Sequence, residues 1–259
     1  MQHLCQPYYT SKLSVFEDLD SIETYGFRGE ALYSICTIGT ISVITKTVDD
    51  DVALMYSFDS NGVIIDKVPT HQGNGTTIIV TNLFKDLPVR KQLYRTDKSL
   101  KDEVKRIEEL LISYGLVYHN ARLTLTNNKK EIWRKNRASN LHFSIRELFK
   151  SRISQELTEV LIEEDSFKIH GFIPKKTCDF QVISRGTGDR IFISVNKRPV
   201  SIAKIKKVCK NIDCLSSFIH TFLTLSLNEV KRSFTFLIDI SIYQIKSISR
   251  HTSVWHHQE

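Results

Sequence analysis

Gly26-Phe27-Arg28-Gly29-Glu30-Ala31-Leu32 is the stretch on which the reading of this chain turns. Two glycines three apart, directly ahead of an apolar helical pattern, let the backbone turn tightly and leave the first N–H groups of the helix unpaired. Those groups and the positive end of the helix dipole suit an oligophosphate, and Arg28 adds a fixed charge able to reach phosphate oxygens. The same residues have a plainer reading, a Gly-bounded turn with Arg28 and Glu30 paired on the surface. Chemistry alone leaves both open. Ala31, Leu32, Ile35 and Cys36 share one face, so a short helix is expected, stopped at Gly39.

Upstream, residues 1–12 are unpatterned and residues 17–25 are an acidic run. Downstream the chain turns strand-rich. Residues 40–47 are β-branched, 52–58 and 63–68 flank the hairpin signal Asp59-Ser60-Asn61-Gly62, and 76–81 follow Gly73-Asn74-Gly75. Leu87-Pro88-Val89-Arg90-Lys91-Gln92 reads as a loop. Leu100, Val104, Ile107, Leu111 and Tyr114 recur every three or four residues, predicting a helix from Ser99 to Gly115 with Lys101, Glu103, Lys105, Arg106 and Glu109 on its wet face. Leu123 and Leu125 alternate toward an Asn127-Asn128 turn, and residues 131–134 return.

A second unit is expected to open near residue 140, with a helix over 141–157 and strands over 159–163 and 167–173. After a polar insertion through Arg185-Gly186-Thr187-Gly188 come a buried strand over 190–196, a basic helix over 201–209 and an apolar strand over 233–241. Strand, basic helix, strand predicts a βαβ crossover in an α+β domain.

The 259 residues suit one large domain or two, and 41% apolar with 25% charged residues is globular composition. Lys and Arg exceed Asp and Glu by 36 to 29, a net +7 compatible with nucleic acid or phosphate ligands and equally with a basic solvated surface. Five cysteines, odd in number and without CxxC spacing, predict a reducing compartment with neither a disulfide framework nor a zinc site; Cys36 reads as core. No stretch has the length of a membrane span, and residues 1–12 lack the apolar core of a signal peptide. A P-loop, GxGxxG, HExxH and GxSxG are all absent, and His251, His256 and His257 near the end form no metal constellation.

Gly26 through Leu32 resembles, residue for residue, the signature of the MutL family of DNA mismatch-repair ATPases, within the GHKL class. Tyr9-Thr10-Ser11-Lys12 is similar to the family's YTSK element and Gly73-Asn74-Gly75-Thr76-Thr77 to its GxGT segment. Leu87-Pro88-Val89-Arg90-Lys91 is similar to its LPVR loop, and Asn196-Lys197-Arg198-Pro199-Val200 to its NxRPV element. All five keep the family's order, and residues 24–32 and 87–94 resemble the eukaryotic PMS branch most.

The resemblance implies an α/β (α+β) fold: a GHKL (Bergerat) sandwich lacking its first elements over residues 1–140, a ribosomal-protein-like βαβ transducer domain with a left-handed crossover over 141–243, and a divergent tail over 244–259. It assigns Gly26, Phe27, Arg28, Gly29, Glu30 and Ala31 to the ATP lid, Thr10, Ser11 and Lys12 to the nucleotide's edge, and Gly75, Thr76 and Thr77 to the neighbourhood of the adenine. Glu30 is expected to cap the helix rather than to catalyse. ATP and Mg2+ are the cofactors of the intact family member. The implied partners are DNA, a second MutL-type subunit as a heterodimer, and a MutS-type mismatch-recognition complex; no membrane is implied, and the location is the nucleus. The implied role is an ATP-dependent DNA-binding clamp acting downstream of mismatch recognition.

Lys197, Arg198, Lys206 and Lys207 are candidate DNA contacts, and Lys129, Lys130, Arg134, Lys135, Arg137, Lys204 and Lys210 could add phosphate contacts. For Asn196, Lys197 and Arg198 a turn-forming reading stands beside the DNA-facing one, and any charge run can be merely a solvated face.

In the family, a water-activating glutamate and a magnesium-holding asparagine precede YTSK, followed by a DxGxG turn. Residues 1–8 contain none of these, so no catalytic residue or metal ligand is assigned, and weak or absent ATP turnover by this polypeptide alone is expected. Residues 236–240 resemble the strand ahead of the family's DVNVHPxK element, but 241–246 depart from it, and the role of its lysine is not transferred to Lys246. The expectation is truncation at both ends, with a sheet edge and apolar surface exposed. The alternative is a non-enzymatic DNA- or partner-binding module with a degenerate nucleotide site.

Overall fold

The computed structural model describes residues 1–15, 18, 24–94, 96–149, 151–164, 167–175, 177–185, 191–201, 218–219 and 221–227. The apolar stripe after Gly29 folds as α1 (Ala31–Ile38), closed by Gly39, whose N–H donates to Ile35 O at 2.9 Å. Four strands follow, β1 (Thr40–Lys46), β2 (Ala53–Phe58), β3 (Ile64–Thr70) and β4 (Gly75–Thr81), forming an antiparallel sheet in the order β3-β2-β1-β4. The predicted β2–β3 hairpin forms because Asp59 Oδ1 accepts the N–H groups of Asn61 (2.9 Å) and Val63 (2.8 Å), while Gly62 takes φ +77°. Ile41, Val43, Tyr56, Phe58 and Cys36 form the core of this unit.

That core also takes Cys5, which has no accessible surface. Residues 1–12, unpatterned in the sequence, thus contribute a buried side chain to this core. A side chain on Gly62 would collide with the Cys5 carbonyl, so Gly62 makes room for the incoming segment.

Two further expectations are corrected here. Residues 87–92 are not a loop: α2 (Pro88–Leu93) starts on Pro88, whose missing N–H costs nothing in the first turn. The long helix is α3 (Asp97–Val117), and Gly115 lies inside it rather than ending it. Leu100 and Ile107, expected to be inward, are exposed.

The chain divides into two compact units, Met1–Val104 and Lys105–Glu259. The division falls within α3, ahead of residue 140, because Leu116 packs with Leu141 and Ile145. In the second unit β5 (Leu123–Asn127) and β6 (Lys130–Lys135) form the expected hairpin, with Asn128 and Lys129 at φ +50° and +64°. The predicted helix over 141–157 corresponds to α4 (Leu141–Phe149) and α5 (Ser151–Gln155) among the described residues, and strand already begins at Leu157.

β7 (Leu157–Glu164), β8 (Phe167–Pro174), β10 (Ile191–Val195), β11 (Arg198–Val200) and β13 (Thr221–Leu227) make a five-stranded sheet in the order β11-β10-β13-β8-β7. Short α6 (Phe180–Ile183), β9 (Ser184–Arg185) and β12 (Phe218–Ile219) complete the described elements. β10 and β13 run parallel, Ile193 opposite Leu223, as a crossover requires. The sequence reading passed over Thr221–Leu227; its own strand over 233–241, the basic helix over 201–209 and the hand of the crossover lie outside the described residues. Phe149, Phe192 and Phe222 close the core, with ring centroids 5.1–5.6 Å apart.

Candidate nucleotide-binding site

Gly29 is where two distant motifs meet. It has φ +66°, and a Cβ there would collide with the backbone of Tyr9. Only a bare α-carbon lets residues 9–12 cross the turn ahead of α1. Behind the crossing lies an open pocket of ≈ 910 Å³, a size that suits a nucleotide.

Thr10, Ser11 and Lys12 line one side and Gly26, Phe27, Arg28, Gly29, Glu30 and Ala31 the other. Local bonds hold both: the Lys12 N–H donates to Thr10 Oγ1 at 3.0 Å, and Thr24 Oγ1 donates to Gly26 O at 3.0 Å. Gly75, Thr76 and Thr77 do not line the pocket. They open β4 opposite Lys46, Thr45 and Ile44, and Thr76 Oγ1 lies 3.0 Å from Thr45 Oγ1.

Lys12 and Arg28 are exposed, and neither pairs with a carboxylate among the described residues; the surface pair of Arg28 with Glu30 does not form. The Arg28 guanidinium sits 5.3 Å from the centre of the Phe27 ring, which steadies it without neutralising it. Glu30 occupies the N-cap position, but its side chain makes no capping bond, contrary to expectation. Its carbonyl instead accepts from the Ser34 N–H (2.9 Å) and Ser34 Oγ (2.8 Å). Among the described residues the first-turn amides of α1 thus have no side-chain cap, and they lie at the pocket with two cations.

Sequence reasoning missed His3, which also lines the pocket and stacks on Tyr9 with ring centroids 4.4 Å apart. No local signal could have found it, since the contact depends on how residues 1–9 coil. Under α1, Cys5 and Cys36 share a hydrogen bond, and burial pushes the Cys5 thiol up to about 12. Both thiols therefore stay protonated and act as packing.

The lining suits a polyphosphate and does not suit a magnesium centre. Glu30 is its single carboxylate, and among the described residues no group of three His, Cys, Asp or Glu could hold a metal ion. Nor, among them, is any helix long and apolar enough to cross a membrane.

In the second unit, Asn196 and Lys197 take φ +47° and +61° and form the two-residue turn of the β10–β11 hairpin, so the turn-forming reading describes their backbone. Arg198 is half-buried at the start of β11. Lys206 and Lys207 lie outside the described residues.

Residues 145–228 match the family described as DNA mismatch repair protein, C-terminal domain. The chain is 39% identical over 217 residues to the human PMS1 protein homolog 1, covering 82% of this chain and 23% of the relative. It is 36% identical over 177 residues to the mismatch repair endonuclease pms1 of Dictyostelium discoideum, covering 66% and 17%. It thus spans about a quarter or less of the length of these relatives.

Among solved structures, the N-terminal domain of a DNA repair protein superposes with a TM-score of 0.75 at 27% identity, covering 98% of this chain and 81% of that one. The Aquifex aeolicus MutL ATPase domain complexed with ADP superposes with a TM-score of 0.63, covering 91% and 80%; at 17% identity it speaks for the fold alone.

Proposed function

Because this chain belongs to the MutL family of DNA mismatch-repair proteins and is of the PMS type, we propose that the pocket behind Gly29 holds the polyphosphate of ATP. The observation that carries this reading is the passage of Tyr9 over Gly29, which puts Lys12, Arg28 and the uncapped amides of α1 around one cavity. In this reading Lys12 and Arg28 bind phosphate oxygens by charge-assisted hydrogen bonds, and the amide N–H groups donate to the remaining oxygens. Gly75, Thr76 and Thr77 would serve the adenine from the end of β4. No step is assigned to magnesium or to a general base. Glu30 as the single lining carboxylate favours binding with weak or no turnover, so the chain acts as a nucleotide-responsive module rather than a competent hydrolase.

The larger role is a clamp that acts on DNA after mismatch recognition, in the nucleus, paired with a second MutL-type subunit and answering a MutS-type complex. Lys197, Arg198, Lys206 and Lys207 would contact phosphates from a transducer domain over 141–243, a reading supported by the family match over 145–228.

Equilibrium binding of a non-hydrolysable ATP analogue, with and without Mg2+, tests the pocket. Lys12→Ala and Arg28→Ala should each weaken binding about tenfold, and Gly29→Ala should abolish it by displacing residues 9–12. An unliganded wild-type chain at millimolar analogue would overturn the proposal.

A further inference from the structure

Arg137 and Arg146, with Ser139, Phe143, Glu147 and Ser151, line an open depression of ≈ 510 Å³ in the second unit that shares no lining residue with the nucleotide pocket. Both arginines are exposed, and neither forms an ion pair with a described residue. The one carboxylate of the lining is already engaged: Glu147 Oε1 accepts the Asn136 N–H at 2.7 Å and faces the charge of Lys135. Among the described residues the lining thus carries two guanidinium groups against one carboxylate.

Beside them Phe143 is 47% exposed, unusual for a phenylalanine on a helix whose neighbours Leu141, Ser144 and Ile145 are buried. Its backbone is firmly placed. The Phe143 N–H donates to the capping Asn140 Oδ1 at 3.0 Å, and Ser144 Oγ anchors the same turn on Gly115 O at 3.1 Å. This half-exposed ring, tilted against His142 with ring centroids 6.0 Å apart, lines the same depression as the two guanidinium forks, a combination that suits a ligand carrying both a phosphate and a flat base.

We propose that this depression binds a nucleotide unit of single-stranded nucleic acid, its phosphodiester on Arg137 and Arg146 and its base stacked on Phe143. A duplex offers the phosphates but keeps its base faces stacked, so Phe143 selects the single strand. Ser139 and Ser151 supply hydroxyls at the rim. The proposal rests on the nucleic-acid reading given above and adds the strand form and the residues.

Fluorescence anisotropy of the whole chain with a labelled oligothymidylate of about twelve nucleotides, and with a duplex of the same length, provides the test. R137A/R146A should weaken single-strand binding at least about tenfold and lower the slope of log affinity against log salt by about 0.7, as for one phosphate. R137K/R146K should keep most of the slope. F143A should weaken single-strand binding about tenfold and leave duplex binding unchanged. Lys101→Ala, on the solvent face of α3, is the control for general charge.

Equal losses for single strand and duplex in F143A would overturn the stacking, and wild-type affinity in R137A/R146A with an unchanged melting curve would overturn the site alone. Tighter binding of a phosphotyrosine peptide than of the oligonucleotide would also overturn it. A wild-type chain that binds no nucleic acid would overturn both this site and the DNA part of the proposed function, leaving the ATP pocket untouched.

Discussion

Lys135 was read as one of several candidate surface cations, yet its side chain has no accessible surface. Its Nζ donates to the carbonyls of His119 (2.7 Å), Ala121 (2.9 Å) and Asn136 (2.9 Å), tying the end of β6 to the loop after α3. The stem runs under Gly115, where a Cβ would lie 2.7 Å from Lys135 Cδ; that contact explains a glycine inside a helix. Lys135→Met would leave three carbonyls without their donor and should cost about 2–4 kcal/mol in urea unfolding.

Burial also holds the Lys135 ammonium below its ordinary value, partly offset by Glu147. The unfolded chain therefore keeps this proton more tightly than the folded one, and the penalty is present in full below the folded pKa. It is relieved as pH rises toward the unfolded value of 10.5, so wild type should gain stability relative to Lys135→Met on going from about pH 7 to about pH 10. A constant difference between the two proteins across that range would refute the buried charge. A lysine in a polar stretch carries no local mark of burial, so this residue was legible only in space. Cys36 was legible as core from its apolar neighbours, whereas Cys5 was not.

At the scale of elements, the hairpins were legible because their turns have chemistry of their own, Asp59 through Gly62 in one and Asn128 with Lys129 in the other. α2 was not: a proline can open a helix as readily as forbid one. β4 carries the clearest prediction. All seven of its residues are exposed, none is charged, and among the described strands only β1 pairs with it. A long uncharged edge of β-branched residues templates pairing with another strand. The isolated chain should therefore self-associate with rising concentration, and Ile78→Lys should suppress this with a stability change within about 0.5 kcal/mol. Light scattering across a dilution series gives the answer, and a wild-type monomer at high concentration would dismiss the edge as a liability.

For the whole molecule, the described residues show two large hydrophobic clusters that share no member, one around Ile41 and Val43, the other around Ile145, Phe149 and Phe222. Unfolding should accordingly depart from a single two-state transition. Ile145→Ala, at a fully buried position, should lower one calorimetric transition by about 2–5 kcal/mol and leave the other in place; a joint shift would mean one cooperative unit. From the sequence alone, the Gly-bounded turn ahead of a helix at Gly26 through Leu32, the strand-rich first unit and the kinship with a repair family followed, because glycine spacing, β-branching and motif order are written locally. Only the folded chain decided that Tyr9 crosses Gly29, that Cys5 and Lys135 are interior, and that Arg137, Phe143 and Arg146 share one depression. Those are meetings of residues far apart or differently turned along the chain, set by backbone clearance and the packing of separate elements, which no local pattern encodes.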